Sequence, residues 1–200
     1  MYQQGGWVML QQYITNRLIM RILNEESANK VLDFHLENRD TFSPFEPLQP
    51  AEFYTLTYQE AALKAETRLL LRASSLRYYL FDLSDDTRIL GTICFYHMLP
   101  SPYNSCKLGY RIHKMAQKKG YAYEALSYLL PLVFTELGLH RIEADILPEN
   151  KDSLQLIERL GFTYEGISRS SCEISGVRRD HLHYTLTSFD QMPYSPTPQN

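Results

Sequence analysis

The sequence lacks several features that would assign it to a specialised class of protein. It has no apolar run of about 18 residues, the shortest that crosses a membrane as a helix. Its three cysteines, Cys94, Cys106 and Cys172, lie far apart and form no CxxC pair, which argues against a disulfide framework and a zinc site. Twenty lysine and arginine residues stand against 23 acidic ones, a net charge of −3, so the basic excess that nucleic-acid binding requires is missing. We therefore expect no membrane span and no nucleic-acid partner.

Length and composition suit one globular domain. The chain has 200 residues, of which 44% are hydrophobic and 22% charged, and a chain of this kind can bury a substantial core. Its first residues lack the basic start and the long apolar stretch of a signal peptide, so we expect a cytoplasmic protein. We predict an N-terminal extension over residues 1–15, one domain over 16–190 and a flexible, proline-containing tail over 191–200.

The hydrophobic pattern predicts alternating strands and helices. Predicted strands cover residues 18–23, 77–82, 89–96, 106–112, 141–147, 162–174 and 179–187. Predicted helices run from the caps Asn24 and Thr57 to about residues 37 and 73, and cover 120–137 and 150–160. The three strands between residues 77 and 112 predict a meander, and the strand–helix–strand unit from 106 to 147 favours a parallel pair.

A glycine-containing loop joins the predicted strand 106–112 to the predicted helix 120–137. The loop and the start of the helix comprise Gln117, Lys118, Lys119, Gly120, Tyr121 and Ala122. Glycine at such a turn lets the backbone approach a ligand, and the free N–H groups of the first helical turn point at an anion. The two lysines add positive charge. This pattern favours a phosphate cradle, although the same loop is also typical of an ordinary helix start.

Four short motifs occur in an informative order from this loop onward. They are Gln-x-x-Gly-x-Ala at 117–122, Glu-Leu-Gly-Leu-His-Arg at 136–141, Pro-x-Asn-x-x-Ser at 148–153 and Leu-Gly-Phe at 160–162. In this order and spacing they resemble the GNAT superfamily of acyl-CoA-dependent N-acetyltransferases, and within it the ribosomal-protein-alanine acetyltransferase (RimJ/RimL-like) branch. The dense match covers residues 108–186, and weaker similarity extends upstream through 17–22 and 38–47.

The resemblance implies the fold and the cosubstrate. The GNAT-type fold is an α/β single domain with a mixed (α+β), mostly antiparallel sheet of about seven strands flanked by helices. The cosubstrate would be acetyl-CoA, and no metal is expected. The histidines His140, His181 and His183 agree with that expectation, because they lack further ligands at zinc spacing.

The resemblance also assigns the cofactor contacts. The strands 108–112 and 142–147 are expected to splay apart, so that the backbone of Ile112 and His113 pairs with the pantetheine arm while the amides of residues 117–122 hold the pyrophosphate. Asn150 and Ser153 are expected to contact the cofactor near its thioester. From the residues alone, Asn150 is also typical of a helix N-cap and Ser153 of a first-turn polar residue.

The implied chemistry is direct attack of an amine on the thioester, with a backbone N–H of the splayed strand stabilising the developing oxyanion. Many family members carry a tyrosine seven residues after the asparagine as the acid for the CoA thiolate, but this chain has Ile157 there. The resemblance then moves the acid role to Ser153 or leaves it to water. Glu143 and Asp145 share one strand face and are the candidate bases. Glu165 is another candidate, and each of the three is also typical of a solvated surface carboxylate.

The branch implies transfer to the N-terminal α-amine of a protein such as a ribosomal protein. A small amine, whether polyamine, amino sugar or amino acid, fits the same motifs. Ile157 also leaves open a non-catalytic module that senses acyl-CoA. The loop 38–47 and the helix after Thr57 are expected to wall the acceptor site. The sequence leaves both a monomer and a homodimer open.

Overall fold

The computed structural model describes residues 2–4 and 7–189, and the predicted tail over 191–200 lies outside the described residues. The strands are β1 (Tyr2–Gln4), β2 (Trp7–Met9), β3 (Gln12–Ile14), β4 (Leu18–Arg21), β5 (Ser75–Asp82), β6 (Gly91–Leu99), β7 (Ser105–Ile112), β8 (Arg141–Ile146), β9 (Thr163–Ile174) and β10 (Val177–Thr187). The α-helices are α1 (Ala28–Glu37), α2 (Arg39–Phe42), α3 (Leu56–Leu71), α4 (Tyr121–Glu136) and α5 (Lys151–Arg159). None of these helices has the length and apolar character needed to cross a bilayer.

One sheet of eight strands has the order β3-β4-β5-β6-β7-β8-β10-β9. Its described neighbours are antiparallel except for β7 and β8, which are parallel. The mixed, mostly antiparallel sheet and the parallel pair of the sequence analysis are therefore confirmed. Within this sheet the strand beyond the seven predicted is β3, which pairs with β4. It lies within the predicted extension 1–15, as do β1 and β2, which pair with each other in a separate two-stranded sheet. Three residues are too few to show an alternating pattern.

Helices pack on both faces of the sheet, which places its core in two layers. On one face α4 and α5 bury Leu126, Leu129, Val133 and Ile157 against strand residues such as Ile142. On the other face α1 and α3 cover β4 and β5, in a second cluster that contains Val31, Leu63, Tyr79 and Phe81. Full burial of each such side chain contributes roughly 1.5–3 kcal/mol. The second cluster contains no residue of β7, β8 or β10. On this face of the sheet, polar side chains can therefore occupy those three strands.

The helix starts follow the predicted chemistry with two corrections. Thr55, rather than Thr57, caps α3, because Thr55 has the extended backbone of an N-cap and its Oγ1 accepts from the Tyr58 N–H at 3.3 Å. Asn24 precedes a 3-10 turn over Glu25–Ser27 and makes no side-chain cap, so α1 begins only at Ala28. Asn150 caps α5 as one of its two predicted readings requires, with Oδ1 accepting from the Ser153 N–H at 3.2 Å.

Candidate active site

The parallel strands β7 and β8 are paired over three residues only. The pairs are Ser105 with Arg141, Cys106 with Ile142 and Lys107 with Glu143. β7 then continues to Ile112 and β8 to Ile146 with no further pair between them in the described chain. The two strands thus separate as the resemblance implied. The edge of β7 beyond Lys107 can take an extended ligand as an additional strand.

A cavity of about 610 Å³ lies beside this separation, within the usual size of a cofactor or substrate site. Its lining combines the end of β7, the turn before α4, the start of α5 and the segment 41–46 at the end of α2. The predicted cofactor residues that line it are Ile112, Gln117, Lys118, Gly120, Tyr121, Ala122, Asn150 and Ser153. Two others, His113 and Lys119, are not part of the lining.

Gly120 sets the geometry of the turn before α4. It is the N-cap of α4 with a left-handed backbone, φ +81°, and provides no side-chain cap. The N–H groups of the first turn therefore face the cavity end of the helix without a capping side chain from the N-cap residue, which suits an anion. A Cβ at this position would meet Arg17 Nη2 at 3.5 Å, an ordinary contact. The requirement for glycine therefore comes from the backbone angle rather than from crowding.

Arg17 holds this turn in place, a role that the sequence analysis did not predict. Its Nη1 donates to the Lys119 carbonyl at 3.0 Å and its Nε to Glu124 Oε2 at 2.6 Å. Its guanidinium also lies 4.7 Å from the ring centroid of Tyr121. Burial raises the pKa of the Glu124 carboxyl, but hydrogen bonds from Thr15 and Arg17 outweigh it and the net pKa lies below its usual value. One side chain thus binds the residues on both sides of Gly120.

Two buried polar residues anchor the segment between β7 and the cradle. Asn38 is fully buried, its Nδ2 donates to the Phe34 carbonyl, and its Oδ1 accepts from the Lys114 N–H, both at 2.7 Å. His113 Nδ1 accepts from the Met115 N–H, so the ring proton lies on Nε2, which donates to Glu37 Oε2 at 2.7 Å. These contacts connect the end of α1 to the turn over Lys114–Ala116, which leads from β7 to the predicted phosphate cradle.

The backbone of His113 is already engaged. Its N–H donates to the Leu90 carbonyl at 2.8 Å, and its carbonyl accepts from the N–H groups of Ala116 and Gln117 at 2.7 and 3.1 Å. The expected pantetheine contact at this position therefore has no support from the geometry. The corresponding expectation for Ile112, which lines the cavity, stays a prediction.

Tyr110 of β7 contacts α5 and is a second residue to which the sequence analysis assigned no role. It lines the cavity, and its hydroxyl donates to the Ser153 carbonyl at 3.2 Å. Burial raises the pKa of Tyr110 to about 12, against the opposing effect of that hydrogen bond. The hydroxyl therefore keeps its proton at neutral pH. The chain has fifteen tyrosines, and a tyrosine within a predicted strand is typical of ordinary packing, so the sequence did not single out Tyr110.

The candidate bases lie outside the cavity lining, on the opposite face of the sheet. Glu143 Oε1 accepts from Arg141 Nε at 3.0 Å. Asp145 is half-buried, which raises its pKa, but hydrogen bonds from Lys107 and His183 dominate and hold the pKa of that carboxyl below its usual range. Hydrogen bonds from Arg141 and Thr185 lower the pKa of Glu165 to about 2. Asp145 and Glu165 are consequently weak bases at neutral pH.

Metal-ligating side chains do not converge in residues 2–4 and 7–189: no three of the His, Cys, Asp and Glu side chains there could hold an ion together. The histidines have other partners. His140 Nδ1 lies 2.7 Å from Ser188 Oγ, and His181 Nδ1 lies 2.8 Å from Ser171 Oγ. Each of these two side chains thus has a serine hydroxyl as its hydrogen-bond partner.

Comparison with known proteins identifies relatives of the whole fold. The family model described as the acetyltransferase (GNAT) domain matches residues 17–163. The [Ribosomal protein uS5]-alanine N-acetyltransferase of Escherichia coli (strain K12) is 32% identical to this chain over 179 residues, which cover 90% of this chain and 92% of that protein.

Solved structures share the same architecture. The ribosomal-protein-S5-alanine acetyltransferase from Vibrio fischeri superimposes with a TM-score of 0.85 at 23% identity, over 91% of this chain and 99% of that one. Mycobacterium smegmatis RimJ, in complex with CoA-disulfide, superimposes with a TM-score of 0.81 at 24% identity, over 89% of this chain and 85% of that one. At these identities the structures establish the fold.

Proposed function

Because the chain belongs to the GNAT family of acetyltransferases, it is an acetyl-CoA-dependent N-acetyltransferase, and we propose that its acceptor is the N-terminal α-amine of a ribosomal protein. The resemblance drawn from the four motifs is thereby confirmed at the level of family, fold and enzyme class. The observation that carries the proposed acceptor is the similarity to the uS5-alanine enzyme over about nine-tenths of both chains. That similarity includes the N-terminal half, which borders the acceptor side.

The cavity residues fit the cosubstrate. In this proposal the pantetheine arm binds along the β8-side edge of β7 from Leu108 to Ile112, an edge that has no strand partner there among the described residues. The pyrophosphate binds at the first amides of α4. Arg159, stacked on Tyr123 with its guanidinium 3.9 Å from the ring centroid, adds a cation to the lining. When bound, acetyl-CoA supplies the activated acetyl thioester. The chain's own contribution is to hold that thioester at the opening between β7 and β8.

The face opposite the cavity suits an amine that arrives on a peptide end. β7, β8 and β10 carry Lys107, Asp145 and His183 there, and these side chains are 35%, 17% and 20% exposed. Arg111 of β7 points to the same strand face as Lys107, forms a two-point ion pair with Glu46, and together with Glu46 also lines the edge of the cavity. Polar groups that are partly open to solvent can receive the end of a longer chain.

The charges on this face argue against a polyamine. Asp145 is paired with Lys107 at 2.6 Å, and Glu143 and Glu165 are both paired with Arg141. Each of these carboxylates thus already has a cationic partner within the protein. A polyamine needs uncompensated carboxylates, and the proposed acceptor, which brings a single ammonium group, does not.

A panel of acceptors tests this proposal. We expect release of CoA from acetyl-CoA with short peptides that have a free N-terminal Ala or Ser, and an N-acetylated peptide of the same sequence serves as the matched control. Spermidine, amino sugars and free amino acids complete the panel. Mass spectrometry of the product should place the acetyl group on the α-amine. Turnover on a small amine alone would overturn the peptide proposal, and tight acetyl-CoA binding without any turnover would favour the sensing module.

On the leaving-group side, we propose that Ser153 donates a hydrogen bond to the CoA thiolate and that Tyr110 positions it. Ser153→Ala is expected to lower kcat by roughly 10- to 100-fold while the Kd for acetyl-CoA changes by less than about twofold, because the backbone of residue 153 remains bonded to Asn150 and Tyr110. Steady-state kinetics and equilibrium binding measure the two quantities.

Tyr110→Phe is the companion variant, since it removes the hydrogen bond to the Ser153 carbonyl and leaves the serine hydroxyl in place. We expect a smaller fall in kcat for this variant than for Ser153→Ala. An unchanged kcat in Ser153→Ala would remove Ser153 from the mechanism.

A further inference from the structure

A histidine–aspartate pair lies on the sheet face opposite the cofactor cavity. His183 of β10 and Asp145 of β8 are direct partners in the antiparallel register, and Nδ1 of the ring lies 2.7 Å from Oδ1 of the carboxylate. Lys107 Nζ holds the other carboxylate oxygen at 2.6 Å, and Ser168 Oγ donates to Oδ1 at 3.3 Å. An ionised carboxylate can only accept, so the neutral ring carries its proton on Nδ1 and presents the lone pair of Nε2.

The pair borders the opening between β7 and β8. Lys107 is the last residue of β7 that pairs with β8, and its partner there is Glu143. Asp145 follows two residues later on the same face, where the two strands have parted. Asp145 therefore lies at the edge of the opening between β7 and β8, and the imidazole that it contacts comes from β10, the next strand of the sheet. Its side chain is 20% exposed, which leaves it accessible to an incoming amine.

We propose that His183 is the general base of the acetyl transfer and that Asp145 is its positioning residue. This inference rests on the proposed direct transfer to an amine and does not depend on which amine is the acceptor. Nε2 of His183 takes one proton from the acceptor ammonium and later passes it to water. The freed nitrogen lone pair forms the bond to the acetyl carbon as the carbon–sulfur bond breaks. The second nitrogen proton leaves the product amide, and the CoA thiolate gains a proton, so the overall yield is amide, CoA thiol and one released proton.

The surrounding charges favour the imidazole over the carboxylates for this task. On β9, Glu165 Oε2 lies 3.9 Å from Nε2, beyond hydrogen-bond distance, so the lone pair of Nε2 stays available. Glu165 itself is held by Arg141, and Asp145 by Lys107. Tyr96 and Glu143 are further titratable groups whose charges act on Lys107, and burial is the main cause that raises the pKa of Tyr96. The imidazolium that forms would lie between two carboxylates.

The sequence pattern groups His183 with His140 and His181 and gives no reason to single it out. The structure separates the three, because His183 alone among them is bonded to a carboxylate. A carboxylate that fixes the tautomer and orientation of an imidazole is a recurring arrangement for general bases. This role rests on a contact between residues 38 positions apart, and no short sequence pattern can reveal such a contact.

The test compares His183→Gln with the wild-type protein across pH, using whichever amine the wild-type protein acetylates best. At pH 7 an α-amine with a pKa of about 7.7–8.0 is mostly protonated, and we expect kcat/KM of the variant to fall by about 100-fold. At a pH about one unit or more above the pKa of the amine, which means above about 9 for an α-amine, the amine is already free, and the deficit should shrink to less than about 10-fold. A residue with a purely structural role would give the same ratio at every pH.

Two further variants complete the test. Asp145→Asn keeps the imidazole but removes the carboxylate that orients it, and it should show the same pH-dependent deficit with unchanged acetyl-CoA affinity. His181→Gln removes a histidine on the same strand whose ring contacts Ser171, and its deficit, if any, should not vary with pH. A pH-independent ratio for His183→Gln in a folded protein overturns the base assignment while the acetyltransferase function stands. A wild-type protein that acetylates no amine overturns both.

Discussion

Gly120→Glu is expected to abolish measurable acetyl-CoA binding while the chain remains folded. The substitution places a carboxylate at the start of α4, where the unblocked amides and the helix dipole favour the cofactor's phosphates. Arg17, the nearest side chain to the new Cβ, is already bonded to Glu124 and Lys119. We expect the Kd for acetyl-CoA, measured by isothermal titration calorimetry, to rise at least about 100-fold, which corresponds to about 2.7 kcal/mol.

Gly138→Glu is the matched control for that experiment. Gly138 also has a left-handed backbone, φ +63°, and a Cβ there meets no atom within 4 Å. Both variants therefore carry the same cost for a non-glycine residue in this conformation, about 1–2 kcal/mol, and both add one negative charge. The Gly138 variant should bind acetyl-CoA like the wild-type protein. Equal affinity of the two variants would show that the turn at Gly120 is not the phosphate cradle.

Asn38→Ala is expected to have the second large effect, on stability and on cofactor affinity together. The side-chain amide is fully buried and satisfies the Phe34 carbonyl and the Lys114 N–H. Its removal leaves the buried Phe34 carbonyl and the part-buried Lys114 N–H without these partners, and a buried polar group left unsatisfied costs about 1–3 kcal/mol. Because Lys114 begins the turn that leads to the cradle, the Kd for acetyl-CoA should also rise. Urea unfolding and equilibrium binding measure the two changes.

Gln59→Ala separates the two effects. Gln59 is also buried, and its Nε2 donates to the Phe53 carbonyl at 2.6 Å. It lies on α3 and is not part of the cavity lining. This variant should lose stability and keep its acetyl-CoA affinity. If Asn38→Ala weakens binding no more than Gln59→Ala does, the proposed link between the end of α1 and the cradle is wrong.

The fold and the local backbone around the predicted cofactor residues were predictable because their signals are local. Gly120 was predicted to form the turn between a strand and a helix, and the motif Pro-x-Asn-x-x-Ser contains both the cap and the start of α5. The strands of the meander and the parallel pair likewise follow from runs that can be read one at a time. The misplaced cap at Thr57 shows the limit of such signals. Two threonines two residues apart offer the same chemistry, and only the extended backbone of Thr55 decides between them.

The contacts that complete the site join distant parts of the chain. Arg17 and Glu124 are 107 residues apart, Asn38 and Lys114 are 76 apart, and Tyr110 and Ser153 are 43 apart. None of these residues is unusual in its own segment, so their importance appears only when the sheet brings the segments together. Ile157 is a different case. It lies on the buried face of α5, and its apolar side chain packs in the core at the position where the resemblance leads us to expect a tyrosine.

The early separation of β7 and β8 has a consequence for how such an enzyme diversifies. In the proposed arrangement the donor is held by one face and by main-chain groups, whereas the acceptor is met by side chains on the other face. Substitutions that reshape the acceptor face then leave the donor contacts untouched. Selection for a new amine can proceed by changing surface side chains one at a time, with the ability to hold CoA retained at every step.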